Sequence, residues 1–419
     1  MFNFSNSIQT VMERAMESCR TEIDRIGGLA LYNESKVLSA FQELRVGNHH
    51  FMSTSGYGYD DPGRETLERL FCKIFGGEAA LVRPQFMSGT HAIAAALFGV
   101  LRPGDLLLSA TGRPYDTLEE VIGISGGEGN GSLKDYGIGY DQVDMTGEGQ
   151  VDLVALRSKL QTEMPAAVFI QRSRGYAWRP ALGMDKLKAV VDLIRSVLPE
   201  TVIIVDNCYG EFTQRMEPLE VGCDLMAGSL IKNPGGGLAP TGGYVVGRRD
   251  LVEKVSYRLT APGIGAEVGS YAAGYTPFYQ GLFLAPHVVG ESLKGMALAA
   301  SLFRQLGIEV YTDAEPSDII LPIRFGEKNK LIAFCQAIQS ASPIDSHVVP
   351  EPWDMPGYGD PVIMAAGTFV QGASLELSAD APIKEPYIGY LQGGLTLEHI
   401  QLALMLVLER MVRERLIEI

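Results

Sequence analysis

The feature that most narrows what this chain can fold into is an alternation that repeats between about Thr66 and Gly247. Stretches with helical spacing are followed by short, continuously apolar runs: Ala79-Val82, Leu106-Leu108, Ala166-Ile170, Val202-Val205, Leu225-Ala227 and Gly243-Val246. A strand with one wet face alternates apolar and polar residues, so unbroken apolar runs point to strands covered on both sides. The helices between them supply that cover and the crossovers parallel strands need. The expected architecture is an α/β fold with a mainly parallel central sheet between helices. The last run, Gly243-Val246, suits a parallel or an antiparallel neighbour. Ligands of such sheets bind beyond the carboxyl ends of the strands, so the polar residues ending each run are the first functional candidates.

The flanking regions have a different texture. Apolar residues recur at helical spacing from Ser7 to about Tyr32, and Gly27-Gly28 is expected to stop that helix. The stretch from Gly47 to Gly63, GNHHFMSTSGYGYDDPG, has no period, many turn formers and several aromatics, which marks an ordered functional loop rather than a linker. After about Pro286 a long helical pattern (Val288 to Leu306) leads into strand-like pieces, including Ile319-Ile323 and Val362-Met364, and a closing helix, Leu397 to Leu416. Three units are expected: 1–64 with the N-terminal helix and loop, 65–285 as a large α/β domain, and 286–419 as a smaller C-terminal α+β domain.

Composition excludes several classes. With 35 Lys+Arg against 50 Asp+Glu, the net charge of −15 argues against binding nucleic acid or anionic membrane surfaces, both of which need a basic face. A hydrophobic content of 46% over 419 residues allows a large core and excludes wholesale disorder. The first twenty residues lack the apolar segment of a secretory signal, and no apolar run approaches the ~20 residues that span a bilayer, so a soluble, cytoplasmic protein is expected. The five cysteines have no metal or redox spacing and read as buried free thiols. His49-His50 are adjacent and the other histidines lack ligand spacing, so no metal site is expected.

Four local features carry chemistry. The strand in TVIIVDNCYGEF ends at Asp206, and a carboxylate there is costly to ionise without a cationic or N–H partner. Such a residue is either a structural cap or salt bridge, or a ligand contact. In GSLIKNPGGG, Lys232 follows the next apolar run, either as a loop residue or aimed into the crevice, and the adjacent glycines let a flat ligand approach the backbone. Ser88-Gly89-Thr90 opens an apolar helix whose free N–H groups suit an anion. Tyr115 follows the Leu106-Leu108 run.

Their order along the chain resembles the fold-type I pyridoxal-phosphate enzymes of the cystathionine and methionine branch. The phrases GYGYDDPGRETLE, QRSRGYAWRP, IVDNCYGEF and SLIKNPGGGLAPTGGYV are closer still to the methionine gamma-lyase-like family often labelled aluminium resistance protein. By that resemblance the cofactor is pyridoxal 5'-phosphate. Lys232 would hold it covalently and move protons, Asp206 would pair with its ring nitrogen, and Tyr115 would stack on the ring and assist catalysis. Ser88, Gly89, Thr90 and the Ser229 hydroxyl would cradle the phosphate. The family's intersubunit Tyr and Arg fall at Gly56 and Gly58 here, so Tyr57 is expected to supply the catalytic tyrosine and Tyr59 to sit near the substrate. No arginine occurs between Arg324 and Arg410, where the substrate carboxylate clamp usually lies; Arg174 either replaces it at the cofactor or substrate or forms a structural salt bridge.

The resemblance implies a carbon–sulfur lyase acting on a cystathionine- or methionine-type amino acid by beta- or gamma-elimination, as a homodimer or homotetramer with sites between subunits. A transaminase and a cofactor-binding stress or regulatory protein with little turnover are the alternatives, since a fold does not set a function.

Overall fold

The computed structural model describes residues 2–355 and 359–419. Two helices come first, α1 (Asn6–Ser18) and α2 (Arg20–Glu43). The large body follows as α3 (Pro62–Phe75), β1 (Ala79–Arg83), α4 (Gly89–Val100), β2 (Leu106–Ser109), α5 (Asp116–Ile122), β3 (Gly139–Gln142), α6 (Leu153–Glu163), β4 (Ala167–Gln171), α7 (Met184–Val197), β5 (Val202–Asp206), β6 (Leu225–Ser229), β7 (Gly243–Gly247) and α8 (Arg249–Leu259). The rest is α9 (Thr276–Gln305), β8 (Glu309–Val310), β9 (Ile320–Arg324), α10 (Lys328–Ala341), β10 (Val362–Ala365), β11 (Ser378–Pro382), β12 (Ile388–Gln392) and α11 (Leu397–Arg413).

The first seven strands form one sheet in the order β1-β7-β6-β5-β4-β2-β3. Only β7 opposes the others, pairing antiparallel with both β1 and β6. All six apolar runs are strands of this sheet. Their residues divide by parity: Val168 and Ile170 enter a core shared with α3, α6, α7 and the start of α9, while Ala167 and Phe169 enter the opposite core with α4, α5 and α8. Unbroken apolarity is therefore two alternating patterns superposed. The strand the runs did not reveal, β3, is a half-exposed edge of sequence GYDQ that has no such double cover.

The C-terminal strands form a smaller sheet in the order β10-β11-β12-β9-β8, antiparallel throughout. Helix α9 links the two bodies. Its residues from Phe278 to Leu293 belong to the large core and those from Met296 to Phe303 to the small one, so the border expected after residue 285 falls inside a continuous helix. At the other end of the chain, α2 passes straight through Gly27-Gly28, and the break lies at Cys19 instead. The expected stop is overturned by packing. Glycine costs about 1 kcal/mol in a helix interior, whereas α2 buries Ile26, Val37 and Ala40 and sends Asn33 into the core to bond the Phe212 and Gln214 carbonyls at 2.9 and 3.2 Å. Among the described residues no helix is long and apolar enough to cross a membrane.

Near its start α9 meets the turn that follows β6. A Cβ added to Gly281 would lie 2.2 Å from the Gly235 carbonyl oxygen, a contact no side chain tolerates. Gly235 ends the short 3-10 turn Asn233–Gly235 that begins just after Lys232. Overpacking of this kind costs about 1–3 kcal/mol. Gly281→Ala is expected to lower Tm by roughly 2 °C or more in a thermal melt; an unchanged Tm would show that the two backbones do not approach so closely.

Candidate active site

The carboxyl ends of the parallel strands open on a crevice of about 660 Å³, within the ~300–1,000 Å³ usual for small-molecule sites. It is lined by Ser88, Gly89, Thr90, Tyr115, Asp206, Ser229 and Lys232, so the structure brings these sequence candidates together. The register explains why. Asp206 ends β5 and lies opposite Gln171, the last residue of β4, and Ala227 near the end of β6. Ser229 ends β6, and Lys232 follows three residues later.

Asp206 is 3% exposed, and its Oδ1 accepts the Cys208 N–H at 3.0 Å. Burial raises its pKa, and the charge of Lys232 opposes that rise. The Lys232 amine stands over the Tyr209 ring, 4.0 Å from its centroid. Burial works to lower the lysine's pKa, but its neighbours Cys208, Tyr209, Asp206 and Tyr115 favour the protonated amine and the net direction is up. Neither Asp206 nor Lys232 forms a salt bridge among the described residues. Tyr209 reaches this position from a left-handed backbone (φ +70°), which is uncommon for a bulky residue and marks local strain. Its place three residues past Asp206 was visible in the sequence, but nothing there assigned the ring a role.

Helix α4 begins at the opposite lip. Ser88 caps it, its hydroxyl accepting the His91 N–H at 3.1 Å. That leaves the N–H groups of Gly89 and Thr90 facing the crevice at the positive end of the helix dipole. A Cβ on Gly89 would come within 3.1 Å of Ser229 Cβ and 3.4 Å of Cys208 Sγ, so a side chain here would crowd the cradle. Tyr115 is fixed at both ends: its N–H donates to Gln171 Oε1 at 3.1 Å and its hydroxyl to Thr90 Oγ1 at 3.0 Å. Burial raises its pKa first, with Asp206 adding to the rise, so the phenol stays protonated.

An N–H cradle for a phosphate, a ring that can cover one face of a planar ligand, a buried carboxylate and a half-buried lysine without ion pairs are the donor set pyridoxal phosphate requires. The residues present fit that group.

The three arginines of QRSRGYAWRP have separate fates. Arg172 turns into the core and donates to Asn207 Oδ1 at 2.5 Å. Arg174 borders the crevice, but its guanidinium is tied to Asp318 at 2.9 Å and Asp313 at 2.5 Å and is 2% exposed. The expectation that Arg174 meets the substrate is corrected in favour of the structural salt bridge, because two carboxylates from the loop between β8 and β9 already neutralise it. Arg179 is the arginine the sequence reading missed. It also lines the crevice, bonds only the Ser173 and Pro180 carbonyls at 2.9 and 3.2 Å, and has no salt bridge among the described residues. Burial, then the Arg174 charge, pushes its pKa down to about 10. Tyr57 and Tyr59 lie outside the crevice of this chain, 69% and 63% exposed, in the surface loop beside Ala272.

Behind the strand tips lies a buried polar network. Glu211 accepts the Tyr244 hydroxyl at 2.6 Å through Oε1, its Oε2 has no partner, and its carbonyl accepts the side-chain amide of Asn233, next to Lys232. Glu217 accepts the Asn207 amide and the Phe212 N–H. The network thus ties the loop after Asp206 to the loop that carries Lys232.

This geometry defines the class. A mainly parallel seven-stranded sheet with an anion cradle, a strand-tip carboxylate and a crevice lysine is the fold of the fold-type I pyridoxal-phosphate-dependent enzymes. The pyridoxal-5'-phosphate-dependent protein YhfS of Escherichia coli shares that fold at 18% identity, with a TM-score of 0.61 over 94% of this chain and 97% of that one. The chain belongs to the methionine gamma-lyase family, whose profile matches residues 8–412. Among its relatives, YnbB of Bacillus subtilis (strain 168) is 52% identical over 92% of both chains. The crystal structure of a carbon-sulfur lyase involved in aluminum resistance from Clostridium novyi NT is 49% identical, with a TM-score of 0.94 over 97% of this chain and 96% of that one.

The network generates a pH prediction. Burial raises Glu211 from 4.5 to about 8. Because the folded state holds this proton and the unfolded state releases it, the group's contribution to stability is lost as pH rises from about 4.5 to about 8. Glu211→Gln removes that loss. The Tm of the variant relative to the wild type is expected to climb across this interval and level off above it; a difference flat with pH would show that Glu211 is ionised in the fold.

Proposed function

We propose that this protein is a pyridoxal-phosphate-dependent carbon–sulfur lyase that releases a thiol, ammonia and a keto acid from a sulfur-containing amino acid, by beta- or gamma-elimination. The observation that carries the reading is a half-buried Lys232 and a buried Asp206, neither in a salt bridge among the described residues, sharing one crevice with the N–H cradle of Gly89 and Thr90. The membership in the methionine gamma-lyase family supports it.

When bound, pyridoxal phosphate supplies an electron-poor ring that stabilises negative charge at the substrate's alpha carbon. The roles of the chain's own residues follow from their chemistry. Lys232 would hold the cofactor through Nζ, and its amine would take the proton from the substrate's alpha carbon. Asp206 keeps a proton on the ring nitrogen. Gly89, Thr90, Ser88 and Ser229 hold the phosphate. Tyr115 covers the ring and, protonated, can hand its proton to the departing sulfur. Arg179 rather than Arg174 receives the substrate carboxylate, because it is the crevice guanidinium without a salt bridge.

Tyr57 and Tyr59 act across a subunit boundary in this proposal, completing the neighbour's site in a homodimer or homotetramer. Their exposure in a single chain is the supporting observation.

The decisive experiment is a visible spectrum of the purified protein before and after borohydride, with peptide mapping. A band that shifts on reduction and maps to Lys232 is expected. Lys232→Ala should abolish both the band and keto-acid release. A colourless protein that takes up no added cofactor would sink the proposal. Arg179→Met should raise KM by about tenfold or more, the worth of a charge-assisted hydrogen bond, with a smaller change in kcat. If Arg174→Met has that effect and Arg179→Met does not, the assignment of the carboxylate contact is wrong.

A further inference from the structure

The amine of Lys232 has to serve in two charge states. It takes the proton of the substrate's alpha carbon as a neutral base and then carries it as an ammonium. What stands beside the nitrogen sets how easily it passes between the two. A salt-bridged carboxylate would hold it as ammonium and spoil the base; an apolar wall would penalise the ammonium and weaken the base. The structure shows neither arrangement. Lys232 forms no salt bridge among the described residues, and its Nζ stands over the ring of Tyr209, 4.0 Å from the centroid. That is well within the ~6 Å at which a ring face attracts a cation.

The loop around Tyr209 holds the ring in this place. Its left-handed backbone, φ +70°, is unfavourable for a bulky residue and persists only where the surroundings impose it. They do so on both sides. Asn207 is fully buried, its N–H donates to the Ala227 carbonyl at 3.0 Å, and its side chain is held by Arg172 and Glu217. The Gly210 N–H donates back to the Asn207 carbonyl at 2.9 Å, and a Cβ on Gly210 would lie 2.2 Å from Arg172 Nη1. On the lysine's side, the Asn233 amide donates to the Glu211 carbonyl at 2.9 Å, so ring and amine are carried by two loops bonded to each other. The ring itself is half-buried and lines the crevice, open to the reacting groups.

We propose that the Tyr209 ring is a further working part of the site: it holds the Lys232 amine in place and receives the positive charge the amine acquires with the alpha proton. In that transfer the C–H bond breaks, an N–H bond forms, and the electron pair stays on the carbon. The charge on nitrogen develops during the transfer and is absent before it, so the ring favours the transition state over the ground state. This rests on the lyase reading above, which makes Lys232 the base, and adds a residue to it. Three other titratable groups act on the amine: Asp206 at the tip of β5, Cys208 in the loop after it, and Tyr115 ahead of α5. All three are kept in every variant below.

The test isolates proton transfer with L-alanine, which has no leaving group, and the cofactor-loaded protein in D2O. Loss of the alpha proton is followed by NMR, and L-alanine affinity by the visible band of the bound cofactor. Tyr209→Phe is the conservative control, keeps the ring face and should retain most of the exchange rate. Tyr209→Leu keeps apolar cover without the face and is expected to exchange about tenfold more slowly, with L-alanine affinity changed by less than about threefold. Mono-, di- and trifluorinated phenylalanine placed at position 209 keep size and cover while draining the negative face, and exchange should slow with each fluorine. The pH midpoint of the visible band without L-alanine reads the proton on the lysine nitrogen. It should fall along the same series, because the ring favours the charged form. Rates indifferent to fluorination overturn the assignment, and so does a Tyr209→Phe protein as slow as Tyr209→Leu, which would place the effect in the hydroxyl. The fluorinated series decides the matter even if Tyr209→Leu fails to fold. A protein without a cofactor band on Lys232, or one that carries the band yet exchanges no alpha proton, overturns the lyase reading and this assignment together; a protein with the band and with exchange that ignores the ring overturns the assignment alone.

Discussion

A half-buried lysine just past one strand and a buried carboxylate at the tip of its neighbour each lack a salt bridge among the described residues. Removing charges from water is costly, and a fold usually recovers that cost by pairing them directly. Here Asp206 takes a backbone N–H and Lys232 takes the face of Tyr209. The two remain close enough for each charge to shift the other's ionisation. A site of this kind is electrostatically incomplete, and a ligand able to contact both groups would relieve burial costs that the protein alone leaves standing. Much of the local structure serves to keep the two groups in this condition. The strained backbone at Tyr209, the glycine contact between Gly235 and Gly281, and the Glu211–Asn233 hydrogen bond each fix one of the two loops that carry them.

The second constraint is the loop after β4. It leaves the large sheet at Gln171 and is then pinned to the smaller body at two places. Arg174 bonds Asp313 and Asp318, and Tyr176 packs on Tyr390. Three residues past Tyr176, Arg179 lines the crevice. A buried ion pair is weak evidence for stability, but it is an effective register pin, because removing either partner strands a charge. Arg174 therefore acts on the position of the loop, and through it on the crevice, without touching what binds there.

What was legible in the sequence follows from which signals are local. Asp206, Lys232 and the Ser88-Gly89-Thr90 helix start end apolar runs or open helices, and a doubly covered strand shows itself in five consecutive residues. Tyr115 was placed by the same logic. The arginines were not separable, because Arg174 and Arg179 occupy the same loop with no local difference. The groups that neutralise Arg174 lie 139 and 144 residues further along the chain. The place of Asp380 in the crevice wall was hidden for a related reason. Within β11 it reads as one polar residue of a small antiparallel sheet, and only the packing of β11 and β12 against the Tyr176 loop brings it to the crevice. The Gly27-Gly28 misreading has the same origin, since local propensity lost to the contacts of α2.

The loop from Gly47 to Gly63 combines rigidity with exposure. The Tyr57 carbonyl accepts the Gly269 N–H at 2.9 Å, Arg64 donates to the Gly58 carbonyl at 2.6 Å, and Ser270 donates to the Gly56 carbonyl at 2.8 Å. A Cβ on Gly58 would strike the Ser270 backbone at 2.9 Å, so the loop is seated as closely as a core turn. Yet Tyr57 and Tyr59, with rings 5.5 Å apart, project into solvent, and Met52 of the same loop is 65% exposed. A floppy loop loses little by exposing apolar groups, since it can fold them away; a pinned one cannot. Ordered aromatic surface of this kind is characteristic of a face that another surface covers. The partner subunit of the proposed oligomer is the cover that would also give the two tyrosines chemistry to do, because a pinned loop delivers its side chains across an interface with the precision a reacting centre demands.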